Sequence, residues 1–142
     1  MNEVTPGWSA LLALQRATHA TLQVLAAEIA DLGLTGSEIN VLANLADGRS
    51  RSVSELGRAA GTRPTTLTSV LDRLERRGHI TRRPRLGDRR GVLIELTPTG
   101  RQAAATIRHV ITGIEQRALA PLPAEDIAAL RTALQALTEV SE

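Results

Sequence analysis

The chain has 142 residues, enough for one domain whose apolar core folds without disulfides or metal ions. It contains no cysteine, which excludes disulfide frameworks, thiolate nucleophiles, thiol redox sensing and cysteine-bound zinc. No apolar run approaches the roughly 18 residues of a membrane-spanning helix, and the first eight residues lack the pattern of a signal peptide, so we expect a cytoplasmic protein.

Positive charge is concentrated in one third of the sequence. The formal net charge is only +2, and all 17 basic residues are arginine. Residues 49–91 contain twelve of these arginines and four acidic residues, a local charge of +8. The remainder has five arginines and eleven acidic residues, a charge of −6. This distribution favours an anionic partner. Because Trp8 is the only aromatic residue, a surface that stacks single-stranded bases is disfavoured.

The first predicted element is a long amphipathic helix from Ser9 to Asp31, stopped by Gly33. Its apolar face repeats every three or four residues. The members of that face are Leu11, Leu14, Thr18, Leu22, Leu25 and Ile29.

Two short helices are predicted next, each opened by a capping box. Thr35 and Glu38 begin one, and Ser52 and Glu55 begin the other, which stops at Gly61. In each pair the hydroxyl is expected to accept from the amide of the glutamate, while the carboxylate reaches back to the amide of the capping residue.

A third short helix is expected after Thr62, its predicted N-cap, with Pro64 in the first turn and Gly78 after the last. Its apolar stripe consists of Leu67, Val70, Leu71 and Leu74. The 100° step per residue places a polar set on the opposite face: Thr65, Thr66, Ser69, Asp72, Arg73 and Arg76. Small hydroxyl residues followed by arginines are typical of a helix that enters a major groove.

The period then changes to that of β-strands. Residues 80–83 and 92–96 predict two strands joined by a turn-rich tip, and residues 97–119 and 123–140 predict two further helices. The predicted fold class is therefore mainly α with a small β-hairpin wing, as in a winged helix-turn-helix domain.

Three motifs in this order resemble the MarR family of bacterial transcription regulators. They are residues 74–82 (LERRGHITR), residues 87–90 (GDRR) and residues 96–100 (LTPTG), and the resemblance extends over nearly the whole chain. It implies a single domain, residues 1–142, in which residues 35–96 form the DNA-binding lobe. Residues 9–31 and 97–140 would be dimerisation helices.

The resemblance also implies a homodimeric, sequence-specific DNA-binding regulator, more often a repressor of its own or neighbouring genes. Two recognition helices would enter successive major grooves of a pseudopalindromic operator, and the wing tips would reach the flanking minor grooves. The residues expected at bases are Arg63, Thr65, Thr66 and Ser69, and Arg73 is expected at the backbone. Arg76, Arg82 and Arg85 are further candidates for DNA binding. At the wing tip, Asp88 would orient an arginine. Arg90 is assigned to the minor groove and Arg89 to phosphate, although these two roles could be exchanged.

For several residues the sequence leaves two roles open. Arg76 and Arg77 either contact phosphates or complement the helix dipole. Glu75 is expected to pair with a neighbouring arginine. Trp8, Arg16 and His19 form a candidate pocket for a small aromatic or phenolic effector, or else simply pack at the dimer interface. The three histidines lack the spacing of metal ligands, so no metal and no cofactor are expected.

Two other functions remain open from the sequence. The basic lobe could dock an acidic protein partner instead of DNA. An enzyme is disfavoured, because the sequence shows no nucleophile–base pair, no glycine-rich phosphate loop and no cluster of titratable residues.

Overall fold

The computed structural model describes residues 7–84, 87 and 91–141. Its helices are α1 (Ala10–Glu28), α2 (Gly36–Leu45), α3 (Val53–Ala60), α4 (Pro64–Arg76), α5 (Pro98–Leu119) and α6 (Ala124–Thr138). Its strands are β1 (Arg51–Ser52), β2 (Ile80–Pro84) and β3 (Val92–Leu96). This confirms the predicted fold class. The chain divides into two compact units between Val110 and Ile111. Among the described residues, no helix combines the length and hydropathy of a membrane span.

Helix α1 begins where the sequence predicts but ends earlier. Ser9 is its N-cap and accepts a hydrogen bond from the Leu12 amide. The α-helix ends at Glu28, and residues 30–32 form a 3₁₀ turn before Gly33, whose φ of 64° lies in the left-handed region. The predicted end at Asp31 was therefore wrong, because the last turn tightens before the glycine reverses the chain.

The two capping boxes differ. Thr35 accepts from the Glu38 amide at 3.2 Å, and its own amide donates to Glu38 Oε1 at 3.0 Å, so this box is complete. Ser52 accepts from the Glu55 amide at 3.1 Å, but the described residues show no return bond from the Glu55 carboxylate. Ser52 also belongs to β1, where it pairs with Leu93. The predicted second box is therefore only half formed.

The N-cap of α4 is Arg63, not Thr62 as predicted. Pro64 occupies the first helical position, and a residue that precedes proline avoids the helical region. Arg63 is accordingly extended, with φ −64° and ψ 147°. The Thr62 hydroxyl instead donates to the carbonyl of Ala60. The other end is as predicted, since Gly78 follows the helix with a φ of 80°.

The wing is part of a three-stranded antiparallel sheet in the order β1–β3–β2. In β2 and β3, Ile80 pairs with Leu96 and Pro84 with Val92. The sequence predicted the two longer strands but not β1, which has only two residues and therefore no readable period.

The core of the unit that precedes Ile111 is aliphatic. The predicted stripe of α4 is buried, and so are apolar residues of α2, α3, the sheet and the first half of α5. The largest fully buried side chains are Ile39, Val41, Leu42, Leu45, Leu56, Leu67, Val70, Leu71, Leu74, Ile80, Ile94 and Ile107. This burial fixes the rotation of α4 and turns its polar face to solvent.

Candidate nucleic-acid interface

The outward face of α4 carries the polar set predicted from the sequence. Arg63, Thr65, Thr66, Ser69, Asp72 and Arg76 are exposed, and Arg73 is half-buried. Arg63 forms no side-chain cap, so the first amides of α4 keep their donors available for an anion. The face therefore combines small hydroxyl residues near its N-terminal end with arginines one and two turns later.

Arg73 is held on the helix surface by Ser69. Its Nη1 donates to Ser69 Oγ at 2.9 Å, one turn away, and its Nε is buried without a hydrogen-bond partner. The guanidinium is thus oriented along α4 before any ligand binds, which lowers the entropy cost of using it in recognition.

Arg77 has partners inside the protein that the sequence did not indicate. Its Nη1 and Nη2 donate to the carbonyls of Gly33, at 2.9 Å, and Leu32, at 3.1 Å. Nη1 also lies 3.5 Å from Glu38 Oε2, and this carboxylate side chain is only 3% exposed. Arg77 therefore ties the end of α4 to the segment that joins α1 to α2.

Among the described arginines of the basic region, four form ion pairs within the protein. Besides Arg77, these pairs are Arg51 with Asp47 at 2.9 Å, Arg82 with Asp72 at 2.6 Å and Arg83 with Glu95 at 2.6 Å. Arg51 also donates to the Asn44 carbonyl. A hydrogen bond from the Arg49 amide and the charge of Arg51 lower the pKa of Asp47. Arg51 therefore has both of its partners inside the protein.

The remaining arginines of residues 49–84 form no ion pair within the part of the chain that the structure describes. They are Arg49, Arg58, Arg63, Arg73 and Arg76. Arg58 was not singled out from the sequence, although it is exposed in the last turn of α3. These five guanidinium groups therefore have no carboxylate partner among the described residues.

A clamp between the end of α4 and the start of α5 was also missed. The Thr97 amide donates to the carbonyl of His79 at 3.0 Å, and its hydroxyl donates to that of Gly78 at 2.5 Å. The same hydroxyl accepts from the Gly100 amide and so caps α5 as predicted. A Cβ added to Gly100 would lie 1.9 Å from the His79 carbonyl oxygen. Only glycine permits this close approach.

His79 lies inside this clamp and packs against the protein. Its Nδ1 is buried without a hydrogen-bond partner. Burial and then the nearby charge of Arg77 lower the pKa of His79, although Glu38 acts in the opposite direction. The imidazole is therefore held in its neutral form.

Four residues that the sequence assigned to DNA binding belong to the segment between β2 and β3. The predicted residues Arg85, Asp88, Arg89 and Arg90 lie outside the described residues. The strands on either side are defined, since β2 ends at Pro84 and β3 begins at Val92. The roles of these four residues stay predictions.

The candidate effector residues all lie at the surface near α1. Trp8 is 57% exposed just before the helix, and Arg16 and His19 are exposed on it. The His19 ring contacts the Gln23 amide group at 3.1 Å. No hydrogen bond or ion pair joins Trp8, Arg16 and His19 to one another in the described ranges. Within those ranges, no cluster of three or more potential ligands could hold a metal ion.

Helices α2 to α4 with the hairpin define a winged helix-turn-helix protein. Comparison with known proteins identifies the family within this class. A sequence profile described as "MarR family" matches residues 32–91. The Multiple antibiotic resistance protein MarR of Escherichia coli K12 is 30% identical over 109 residues, which is 75% of each chain. The chain belongs to the MarR family, and it is a DNA-binding transcription regulator, not an enzyme.

Two solved structures share its fold. NadR in complex with 4-hydroxyphenylacetate superposes with a TM-score of 0.86 at 21% identity, covering 99% of each chain. MepR of S. aureus in its DNA-binding conformation gives 0.85 at 18% identity, covering 95% of this chain and 100% of the other. At these identities the similarity establishes the fold.

Proposed function

We propose that this regulator is a homodimeric repressor that binds a pseudopalindromic operator near its own gene and is released by a small aromatic acid. The observation that carries the DNA-binding part is the outward face of α4. It presents hydroxyl residues and arginines that form no ion pair among the described residues, on a helix whose opposite face is fully buried.

The residues of this face divide by chemistry. Thr65, Thr66 and Ser69 are short, so the backbone of α4 can approach the floor of a major groove, where hydroxyls contact base edges. Arg63 lies at the N-terminal end of the helix, where recognition helices usually meet bases. Arg73 and Arg76 lie one and two turns after Ser69 and are suited to phosphates. At the wing tip, Arg90 would enter the minor groove, with Asp88 as its orienting partner.

Dimerisation is supported by apolar side chains that no part of their own unit covers. On α6 no described residue is buried, and Leu130, Leu134 and Leu137 are 36–41% exposed. On α1, Leu11 and Leu12 are about half exposed. Contiguous apolar stripes of this kind are unfavourable in water. A second copy of the chain would cover them and would bring two α4 helices to one operator.

Release by an effector is supported by the likeness to NadR, whose structure contains 4-hydroxyphenylacetate. In this chain Arg16 supplies a cation for a carboxylate, Trp8 supplies an aromatic surface and His19 supplies a ring nitrogen. We propose that an aromatic carboxylate binds near these three residues in the dimer and lowers its affinity for DNA.

The test is binding to the DNA immediately upstream of the gene for this protein, measured at two salt concentrations against a scrambled duplex of equal composition. Tight, selective and salt-sensitive binding of one dimer per site is expected. If neither that DNA nor any duplex selected from a random library is preferred over the scrambled control, the proposal fails. In that case the basic lobe would be tested for acidic protein partners.

A further inference from the structure

Two acidic residues interrupt the basic surface of α4, and one arginine of β2 reaches both. Arg82 Nη2 lies 2.6 Å from Asp72 Oδ1, and Arg82 Nε lies 4.0 Å from Glu75 Oε1. The side chains of Asp72 and Glu75 are 51% and 47% exposed, whereas that of Arg82 is 31% exposed. Asp72 thus lies on the face of α4 proposed to meet DNA, Glu75 is exposed about one turn further along the helix, and the arginine is the more enclosed partner.

We propose that Arg82 is a positioning residue that holds Asp72 against β2 and supplies its counter-charge, and that Arg82 does not itself contact a phosphate. This inference rests on the proposed function of α4 in DNA binding. It replaces the role in DNA contact that the sequence suggested for Arg82.

The charges of the last two turns of α4 support this role. Arg73 and Arg76 carry two positive charges there, and Asp72 and Glu75 carry two negative charges. Arg77 does not change this balance, because it pairs with Glu38. Without Arg82 this end of the recognition helix would therefore have no net charge. With it, the surface that faces the phosphates is positive.

Geometry favours the same conclusion. Asp72 shares the outward face of α4 with Ser69 and Arg76, so its carboxylate lies within a Debye length, about 8 Å, of any backbone that those residues contact. A carboxylate at that distance repels phosphates. The short bond to Arg82 ties Asp72 to the strand and places a positive charge beside its carboxylate.

A double-mutant cycle tests the proposal. Wild-type protein, Arg82→Gln, Asp72→Asn and the double variant would be titrated onto the tightest duplex that wild-type protein selects from a random library. We expect Arg82→Gln alone to weaken binding about threefold to tenfold at low salt, the scale of one unit charge acting on nearby phosphates through water. In the Asp72→Asn background the same change is expected to cost less than about twofold, because the carboxylate that Arg82 binds at 2.6 Å is gone and only Glu75, at 4.0 Å, remains.

An equal loss of DNA affinity in both backgrounds would overturn the proposal. A fall of about 0.9 in the salt slope for each arginine removed would support the same conclusion, because it marks a direct phosphate contact. Arg83→Gln is the matched control. It removes the neighbouring arginine of the same strand, which pairs with Glu95, and should show no coupling to Asp72. Circular dichroism would verify that each variant is folded. If wild-type protein selects no duplex, the proposed function fails, and this inference fails with it; selective wild-type binding with an additive cycle refutes the inference alone.

Discussion

Replacing Arg77 with alanine should destabilise the protein far more than replacing its neighbour Arg76. Arg77 donates to two main-chain carbonyls, those of Leu32 and Gly33, and lies 3.5 Å from the carboxylate of Glu38. Arg76 only reaches the Asp72 carbonyl of its own helix, at 3.3 Å. The two substitutions remove the same side chain from adjacent positions, so their difference isolates the contacts of Arg77.

The expected loss follows from the burial of the partners. Hydrogen bonds to a charged group contribute about 1.5–3 kcal/mol. Leaving a buried charge without its partner costs about 3–5 kcal/mol. Because the Arg77 side chain is 41% exposed, solvent screens the pair, and we expect a total of about 2–3 kcal/mol for Arg77→Ala. For Arg76→Ala we expect a change within about 0.5 kcal/mol.

Urea unfolding followed by circular dichroism measures both free energies of unfolding, with an unchanged m-value as the check for two-state behaviour. The Glu38→Gln background adds a second check. If the cost of losing Arg77 arises from an unpaired buried carboxylate, Arg77→Ala must cost less in that background. Equal stabilities for the two alanine variants would refute the reasoning.

The remaining predictions concern five single-residue variants. Gly100→Ala should destabilise the protein by about 1–3 kcal/mol, because the new Cβ would meet the His79 carbonyl at 1.9 Å. Gly113→Ala, in the same helix with only an arginine tip at 3.9 Å, should be neutral or stabilising in the same denaturation assay. Arg73→Ala should weaken binding to every duplex and lower the salt slope in anisotropy titrations, and an unchanged slope would exclude a phosphate contact. Leu134→Glu should yield a monomer by analytical ultracentrifugation, whereas a persistent dimer would mean that α6 lies outside the interface. The pKa of His79 in the folded protein is below the ordinary value of 6.5. Its neutral form therefore contributes fully to the free energy of unfolding above pH 6.5, and this contribution is lost as the pH falls below 6.5 and through the folded pKa. His79→Gln should therefore flatten the stability profile between about pH 7.5 and 5.5 in urea titrations, and parallel profiles would contradict this.

The helices and strands could be predicted wherever the residues that begin, end or pattern them are close neighbours in the sequence. The box of Thr35 and Glu38 and the stop at Gly78 involve neighbours three or four residues apart, and the apolar stripe of α4 is a simple period. Local geometry determines such features, and so the polar face of α4 was also predictable. The wrong assignment of the α4 cap also has a local cause. Arg63, not Thr62, is the N-cap, because Pro64 constrains the backbone of the residue that precedes it.

The sequence was thus sufficient to predict the order of the helices and of the two longer strands, the family and the location of the basic region. Which arginines form ion pairs within the protein depends on the tertiary structure. Arg77 finds its partners 44 and 45 residues away and Arg82 finds Asp72 ten residues away, while Arg73 and Arg76 find no carboxylate among the described residues. The physical reason is that a guanidinium pairs with whichever carboxylate or carbonyl the packed core brings within about 3 Å. That proximity has no period and therefore leaves no pattern in the sequence.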